Sequence, residues 1–250
     1  MTVVRAPAKL TRSLRVTGVR PDGYHLLDAE MVSVALADTL TFADGDGLVV
    51  TGPAAAGVPT DDRNLVRQAL RAVGRSAMVH VDKQIPARGG LGGGSSDAAA
   101  VLRWAGCHDM AVATALGADV AFCVHGGRAR VSGIGEVLEA LPPLDLTFTL
   151  CTPPFGVATA AVFRLWDELG GPTADGPNDL EPAALRLEPR LGTWRDRLAQ
   201  VTGATPILAG SGATWFVEGD FGGAAAELAP AMVVVTRTDR PQEAATGRSA

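Results

Sequence analysis

A chain of 250 residues, 47% apolar and 20% charged, has the composition of a folded globular protein with room for one large core or two modest ones. A formal net charge of −5 with no basic stripe argues against nucleic acid as the main partner. No uncharged apolar run is long enough to span a bilayer and residues 1–7 lack an apolar signal core, so a cytoplasmic protein with no membrane partner is expected, as monomer or homodimer.

Residues 1–50 read as strands. Leu10, Leu14 and Val16 alternate with Lys9, Thr11, Ser13 and Arg15, a period of two that predicts one apolar and one polar face, with Arg12 intruding on the apolar side. Pro21-Asp22-Gly23 signals a turn, residues 31–42 continue the strand character, and residues 43–47 predict a hairpin into 48–51. Leu65, Val66, Ala69, Leu70 and Val73 recur at spacings of three and four, which predicts a helix over 61–73, and 77–81 is a short strand. A glycine-rich stretch follows, and the alanine-rich segment after it predicts a helix over 97–104. Residues 110–116 predict another short helix, 120–124 either a strand or a helix end, and paired glycines punctuate a hairpin around 128–132. Pro142-Pro143 is the clearest boundary, so two α+β halves are expected, 1–145 and 146–240, with 241–250 as a frayed tail. In the second half, 146–151, 207–209, 214–218 and 232–236 read as strands. Residues 159–169, 191–200 and 223–228 read as helices, and 170–177 as a loop.

Cys107, Cys123 and Cys151 form no C-x-x-C pair and no zinc spacing, so buried free thiols are expected rather than disulfides or a structural metal site. Lysine occurs only at Lys9 and Lys83 among 22 basic residues. Each is a candidate for a place where a compact ammonium is needed and a guanidinium would not serve. Lys83 faces either phosphate or solvent.

The segment with the clearest chemistry is Pro86-Ala87-Arg88-Gly89-Gly90-Leu91-Gly92-Gly93-Gly94-Ser95-Ser96. Glycine admits positive φ and close backbone approach, and successive N–H groups can converge on one anion. A helix starting at the end of such a loop adds its free N–H groups and its dipole. Ser95 or Ser96 is the expected N-cap. Asp97, in the first turn, either complements the dipole or holds a magnesium ion. The run is not a Walker loop, which needs lysine and then Ser/Thr after its last glycine. Nor is it the dinucleotide fingerprint, which would need glycine where Ser95 stands.

This run resembles the phosphate loop of the GHMP kinase superfamily, and Gly90 to Ala99 is most similar to the 4-diphosphocytidyl-2-C-methyl-D-erythritol kinase family. Ala6-Pro7-Ala8-Lys9-Leu10, Arg20-Pro21-Asp22-Gly23-Tyr24-His25, Leu116-Gly117-Ala118-Asp119-Val120, Gly133-Ile134-Gly135-Glu136, Asn178-Asp179-Leu180-Glu181-Pro182 and Gly210-Ser211-Gly212-Ala213-Thr214 agree with that family in order. The resemblance implies a two-domain α+β GHMP kinase fold, with a ribosomal-protein-like N-terminal domain that binds ATP and a ferredoxin-like C-terminal domain. It implies ATP with Mg²⁺, held by residues 86–96, and phosphoryl transfer to the 2-hydroxyl of a cytidine diphosphate-linked polyol. Asp119 would be the general base and Lys9 its partner. Tyr24 and His25 would recognise cytidine, with Thr11 and Gly210-Ser211-Gly212 also on the substrate side. Phe155 is either a second stacking partner or core packing, and Asn64 either lines the adenine pocket or caps the following helix. Thr11 stands where the family carries asparagine, Arg12 where it carries an apolar residue and Ala121 where it carries proline. The segment before Leu116 is also shorter than the family's. Two other readings stay open: a kinase of the superfamily acting on another small alcohol, and an ATP-binding paralogue without catalysis.

Overall fold

The computed structural model describes residues 1–240; the tail expected at 241–250 lies outside the described residues. Two long strands, β1 (Thr2–Val19) and β2 (His25–Ala43), pair antiparallel along nearly their whole length. On its other edge β2 pairs with β5 (Arg128–Gly133) through residues 27–32 and with β4 (Met78–Asp82) through residues 39–43. β3 (Gly47–Thr51) lies parallel to β4, and β6 (Val137–Ala140) closes the expected hairpin with β5, completing a six-stranded sheet. The hairpin expected across 43–47 does not form, because β4 occupies the edge of β2 that it would use. The chain reaches β4 from β3 through helix α1 (Leu65–Ala72), the longer crossover that parallel strands require.

Helix α2 (Gly93–Trp104) is followed by α3 (Met110–Leu116) and α4 (Ala118–His125), and α2 and α4 pack on β1. Residues 120–124 are helical; four consecutive buried residues, Val120 to Cys123, erase the periodicity that would have identified a helix. α2 begins at Gly93 rather than at 97, with Gly92 at φ +67° as its N-cap. Ser95 and Ser96 therefore lie inside the helix instead of capping it, and Asp97 is beyond its first turn. The low helix propensity of glycine hid this start. Ser96 Oγ instead donates to the Pro7 carbonyl at 2.6 Å.

A second, antiparallel sheet has the order β10 (Met232–Arg237), β7 (Thr147–Thr152), β9 (Trp215–Glu218), β8 (Ile207–Leu208). It carries helices α5 (Thr159–Glu168), α6 (Glu181–Leu187) and α7 (Arg190–Thr202). α6 was not anticipated; it is short, and its signal is Pro182 in the first turn. Gly222–Ala225 is a 3₁₀ turn rather than the helix expected to 228. No helix among the described residues is long and apolar enough to cross a membrane.

Two apolar layers hold these parts together. The larger runs from the first sheet and its helices to the second and contains Phe42, Phe122, Trp166, Trp194 and Trp215. The smaller joins Leu10, Val32 and Val34 of the first sheet to Phe148, Leu150 and Phe216 of the second. The centre of β1 is thus buried on both faces, and Lys9 and Thr11, expected on a polar face, are buried with Ala8 and Leu10. Arg12 is the extra residue of a β-bulge, since Thr11 pairs with Met31 and Ser13 with Glu30. Its guanidinium meets Glu30 at 2.5 Å and Glu218 of the second sheet at 2.8 Å. Cys123 and Cys151 are buried free thiols as expected, pushed up by burial to about 12 and about 11, whereas Cys107 is only half-buried.

Two polar constructions set the loops around the glycine run. Asn178 is buried; its Nδ2 donates to the Leu208 and Gly210 carbonyls at 2.8 and 2.7 Å, and its Oδ1 accepts from Leu180 N at 2.9 Å. The neighbouring backbone is stitched to β1, Leu14 N donating to Pro177 O and Asp179 N to Leu14 O. The second construction contains Lys83, which is buried rather than open to solvent. Its ammonium lies 2.5 Å from Asp38 Oδ2 and 2.7 Å from Asp97 Oδ2, all three residues buried. Asp38 Oδ1 also accepts the backbone N–H groups of Gln84 and Ile85 at 2.6 and 2.9 Å. Asp97 Oδ1 has no partner. One ammonium does not compensate two buried carboxylates, and Asp97 has fewer hydrogen-bond donors around it than Asp38. Burial therefore pushes the Asp97 carboxyl up to about 7 despite the pull of Lys83.

Two outcomes follow from these constructions. Asn178→Ala orphans buried backbone groups and should lower stability by about 2 kcal/mol or more in urea unfolding. Asp97 holds its proton in the folded chain up to about 7 but loses it near 3.8 when unfolded, so this group makes stability fall as pH rises through that window and level off above it. Asp97→Asn removes that component. The variant should gain on the wild type between about pH 5 and about pH 8, read from urea midpoints at both ends.

Candidate active site

A cavity of about 530 Å³ opens between the glycine loop, the start of α4 and the loops of the second sheet. Residues 86–90 and 92–95 line it. Leu91 and Ser96 do not; both are buried, and the Leu91 carbonyl accepts the Lys9 N–H at 3.1 Å. No side chain caps α2, so the N–H groups of Gly93, Gly94 and Ser95 at its positive end are left for a ligand in the cavity.

Lys9 crosses this loop from β1. A Cβ on Gly92 would come 2.7 Å from Lys9 Cγ, so only glycine lets the lysine stem pass. Gly90, at φ +79°, is equally constrained, since a Cβ there would come 2.2 Å from the Ala209 carbonyl. Two of the loop glycines thus serve close packing against Lys9 and the 209–212 segment as well as ligand approach. The Lys9 ammonium lies 3.2 Å from Asp119 Oδ2 and donates to Thr11 Oγ1 at 3.1 Å. Asp119 stands in the first turn of α4, at that helix's positive end. Lys9, Thr11 and Asp119 all line the cavity.

Gly210 and Ser211 form part of the opposite wall, where Ser211 Oγ shares a 2.8 Å hydrogen bond with Thr159 Oγ1 at the start of α5. Gly212 stands behind them and donates its N–H to the Ala209 carbonyl. Asn64 lines the cavity, but its amide is committed: Oδ1 caps α1 through Val66 N at 2.8 Å, and Nδ2 donates to Pro59 O at 2.7 Å. The remaining expected aromatic contacts lie outside the lining. Tyr24 is 60% exposed in its turn. His25 Nε2 meets Asp167 Oδ1 at 2.8 Å, and its ring packs on Phe163 with centroids 4.6 Å apart. One face of Phe155 is covered by the Arg190 guanidinium at 4.2 Å.

The aromatic ring that does line the cavity is Phe163 of α5, with His25 behind it. Nothing in the sequence singled it out, because an aromatic on a helix reads as core. Lys83 and Asp97 also reach the cavity wall, and Asp97 Oδ1 has no hydrogen-bond partner. The arrangement combines exposed helix N–H groups, a carboxylate bonded to an ammonium and a wall with one aromatic ring. It can hold phosphoryl groups next to a proton acceptor.

Comparison with known proteins agrees with this geometry. Residues 64–127, which contain the glycine loop and Asp119, match the family model for the GHMP kinases N terminal domain. The chain is 41% identical over 237 residues to a 4-diphosphocytidyl-2-C-methyl-D-erythritol kinase of Jannaschia sp. (strain CCS1), covering 84% of this chain and 86% of that one. It is 38% identical over 231 residues to the kinase of the same name from Paracoccus denitrificans (strain Pd 1222), covering 84% of each. A crystal structure of a 4-(cytidine 5'-diphospho)-2C-methyl-D-erythritol kinase superposes with a TM-score of 0.73 at 30% identity, over 95% of this chain and 100% of that one. The α+β fold with two sheets is the GHMP kinase fold, and with this identity over most of its length the chain belongs to the 4-diphosphocytidyl-2-C-methyl-D-erythritol kinase family.

Proposed function

We propose that this cavity transfers the γ-phosphoryl group of ATP to the 2-hydroxyl of 4-diphosphocytidyl-2-C-methyl-D-erythritol, in the cytoplasm. The observation that carries this reading is the Lys9–Asp119 pair, 3.2 Å apart and facing the uncapped start of α2. An alcohol is a poor nucleophile until its proton has somewhere to go, and Asp119 is the acceptor. The Lys9 ammonium polarises the hydroxyl oxygen and keeps the carboxylate oriented; Thr11 Oγ1 holds that ammonium from its other side. As the O–H proton moves to Asp119, the oxygen forms its bond to phosphorus, and the bond from phosphorus to the bridging oxygen breaks, leaving its electron pair on ADP. Loop N–H groups take up charge on the phosphoryl oxygens.

The donor set also suits Mg²⁺ brought in with the nucleotide. No group of three or more His, Cys, Asp or Glu among the described residues forms a cage for it, and Mg²⁺ is commonly held by one or two carboxylates together with substrate phosphates. Asp97 would hold it through its free Oδ1, and the bound ion would neutralise phosphate charge. On the acceptor side we assign the stacking surface to Phe163, with His25 and Asp167 fixing that ring from behind.

The test is ADP release from purified protein with Mg-ATP and the diphosphocytidyl acceptor. Turnover should require that acceptor, and Asp119→Asn should lower kcat about 10²- to 10⁴-fold while leaving the KM for ATP within a few-fold. Turnover with other small alcohols but not with this one would overturn the assignment of substrate. ATP binding without any turnover would overturn the assignment of catalysis.

A further inference from the structure

Four cationic side chains line the cavity. Three already have carboxylate partners: Lys9 with Asp119 at 3.2 Å, Arg63 with Asp61 at 2.8 Å, and Lys83 with Asp38 and Asp97 at 2.5 and 2.7 Å. Arg88 is the fourth, and no carboxylate among the described residues pairs with its guanidinium. A cavity that takes up phosphoryl groups needs positive charge that its own acids do not already compensate, and Arg88 is where the lining carries it.

The backbone singles out the same residue. Arg88 has φ +56° and is the only non-glycine residue at positive φ among the described residues, a conformation in which arginine is held at a cost. Both loops of the second sheet that border the cavity hold it there. The Arg88 carbonyl accepts from Val157 N and Ala213 N, each at 3.4 Å. Its stem lies against Gly156, where a Cβ would come 2.5 Å from Arg88 Cβ and 3.3 Å from Cδ. Gly156 leaves the room this stem needs, and Arg88 is an exposed residue of the cavity lining.

We propose that Arg88 is a phosphoryl-binding residue of the site, its guanidinium gripping two non-bridging oxygens of one phosphoryl group on a bound ligand. The planar fork of arginine matches such a pair of oxygens, which the point charge of lysine does not. The group belongs either to the ATP tail or to the diphosphate of the acceptor; both present the same oxygens. This rests on the kinase reading above. Arg88 makes and breaks no covalent bond.

The test replaces Arg88 with the residue its backbone conformation favours. Arg88→Gly removes the guanidinium and relieves the positive φ, so its melting temperature should equal or exceed that of the wild type. Its KM for one ligand should nevertheless rise about 10- to 100-fold, the effect of losing a charge-assisted bidentate contact. A rise confined to ATP places the contact on the nucleotide, and a rise confined to the acceptor places it on the diphosphate. Arg88→Lys should recover only part of the loss and show a steeper dependence on salt. Wild-type turnover with Arg88→Gly unchanged in both KM values and kcat would overturn the proposal while leaving the kinase reading intact. Absence of wild-type turnover would overturn the kinase reading itself. Should Arg88→Gly melt below the wild type, the comparison passes to Arg88→Gln, and equal KM values there overturn the proposal.

Discussion

The site depends on a buried ammonium between two carboxylates. Lys83 follows β4, Asp38 lies within β2 and Asp97 lies within α2. The glycine loop runs from the first of these elements to the last, so the cluster ties both ends of the loop to the sheet. Removing the lysine would leave two buried acids without a counter-charge, a situation that costs several kcal/mol. Lysine suits the place because three donors on a compact head can serve two acids in so small a volume, whereas a planar guanidinium would need a wider gap. The loop can then be rich in glycine, and conformationally free in the unfolded chain, without wandering in the folded one.

Above this base, the loop is shaped by what crosses it. Lys9 passes where a Cβ on Gly92 would stand, and the 209–212 segment abuts Gly90. The glycines that suggest a phosphate cradle therefore also let β1 and the second sheet approach the loop. Asn178 completes the arrangement by fixing the Gly210 carbonyl from below. The Lys9–Asp119 pair, the glycine loop and the opposite wall come from distant parts of the chain, and close contacts leave no room for a side chain at Gly90 and Gly92.

Much of this was legible before any fold was known. The glycine run and the rarity of lysine pointed to the loop and to Lys9 by residue type and spacing, and the resemblance of the accompanying motifs to a known family added Asp119. The secondary structure was legible wherever a period survived. It failed at residues 43–47, where β4 took the edge that a hairpin would have used, and at Gly93, where helix was built from its poorest ordinary former. At 120–124, where burial on every side removed the alternation, the pattern left strand and helix end both open, and the segment is helical. Among the aromatic residues, Tyr24, His25 and Phe155 came from resemblance, but the ring that faces the cavity is Phe163. Nothing local to position 163 distinguishes a ring on a cavity wall from one in a core.

The sequence by itself determined the glycine-rich loop, the candidate acid and ammonium and the family, since those are carried by residue identities in fixed local order. Tertiary structure alone decided that Lys83 is a buried brace, that Ser95 lies inside a helix, that Lys9 and Thr11 are buried, and that Arg88 is the cavity cation without an acid. The physical reason is the same in each case. Charge compensation and burial are properties of neighbours in space, and partners that settled them, such as Asp38 and Gly156, stand far along the chain from the loop or across a sheet from it.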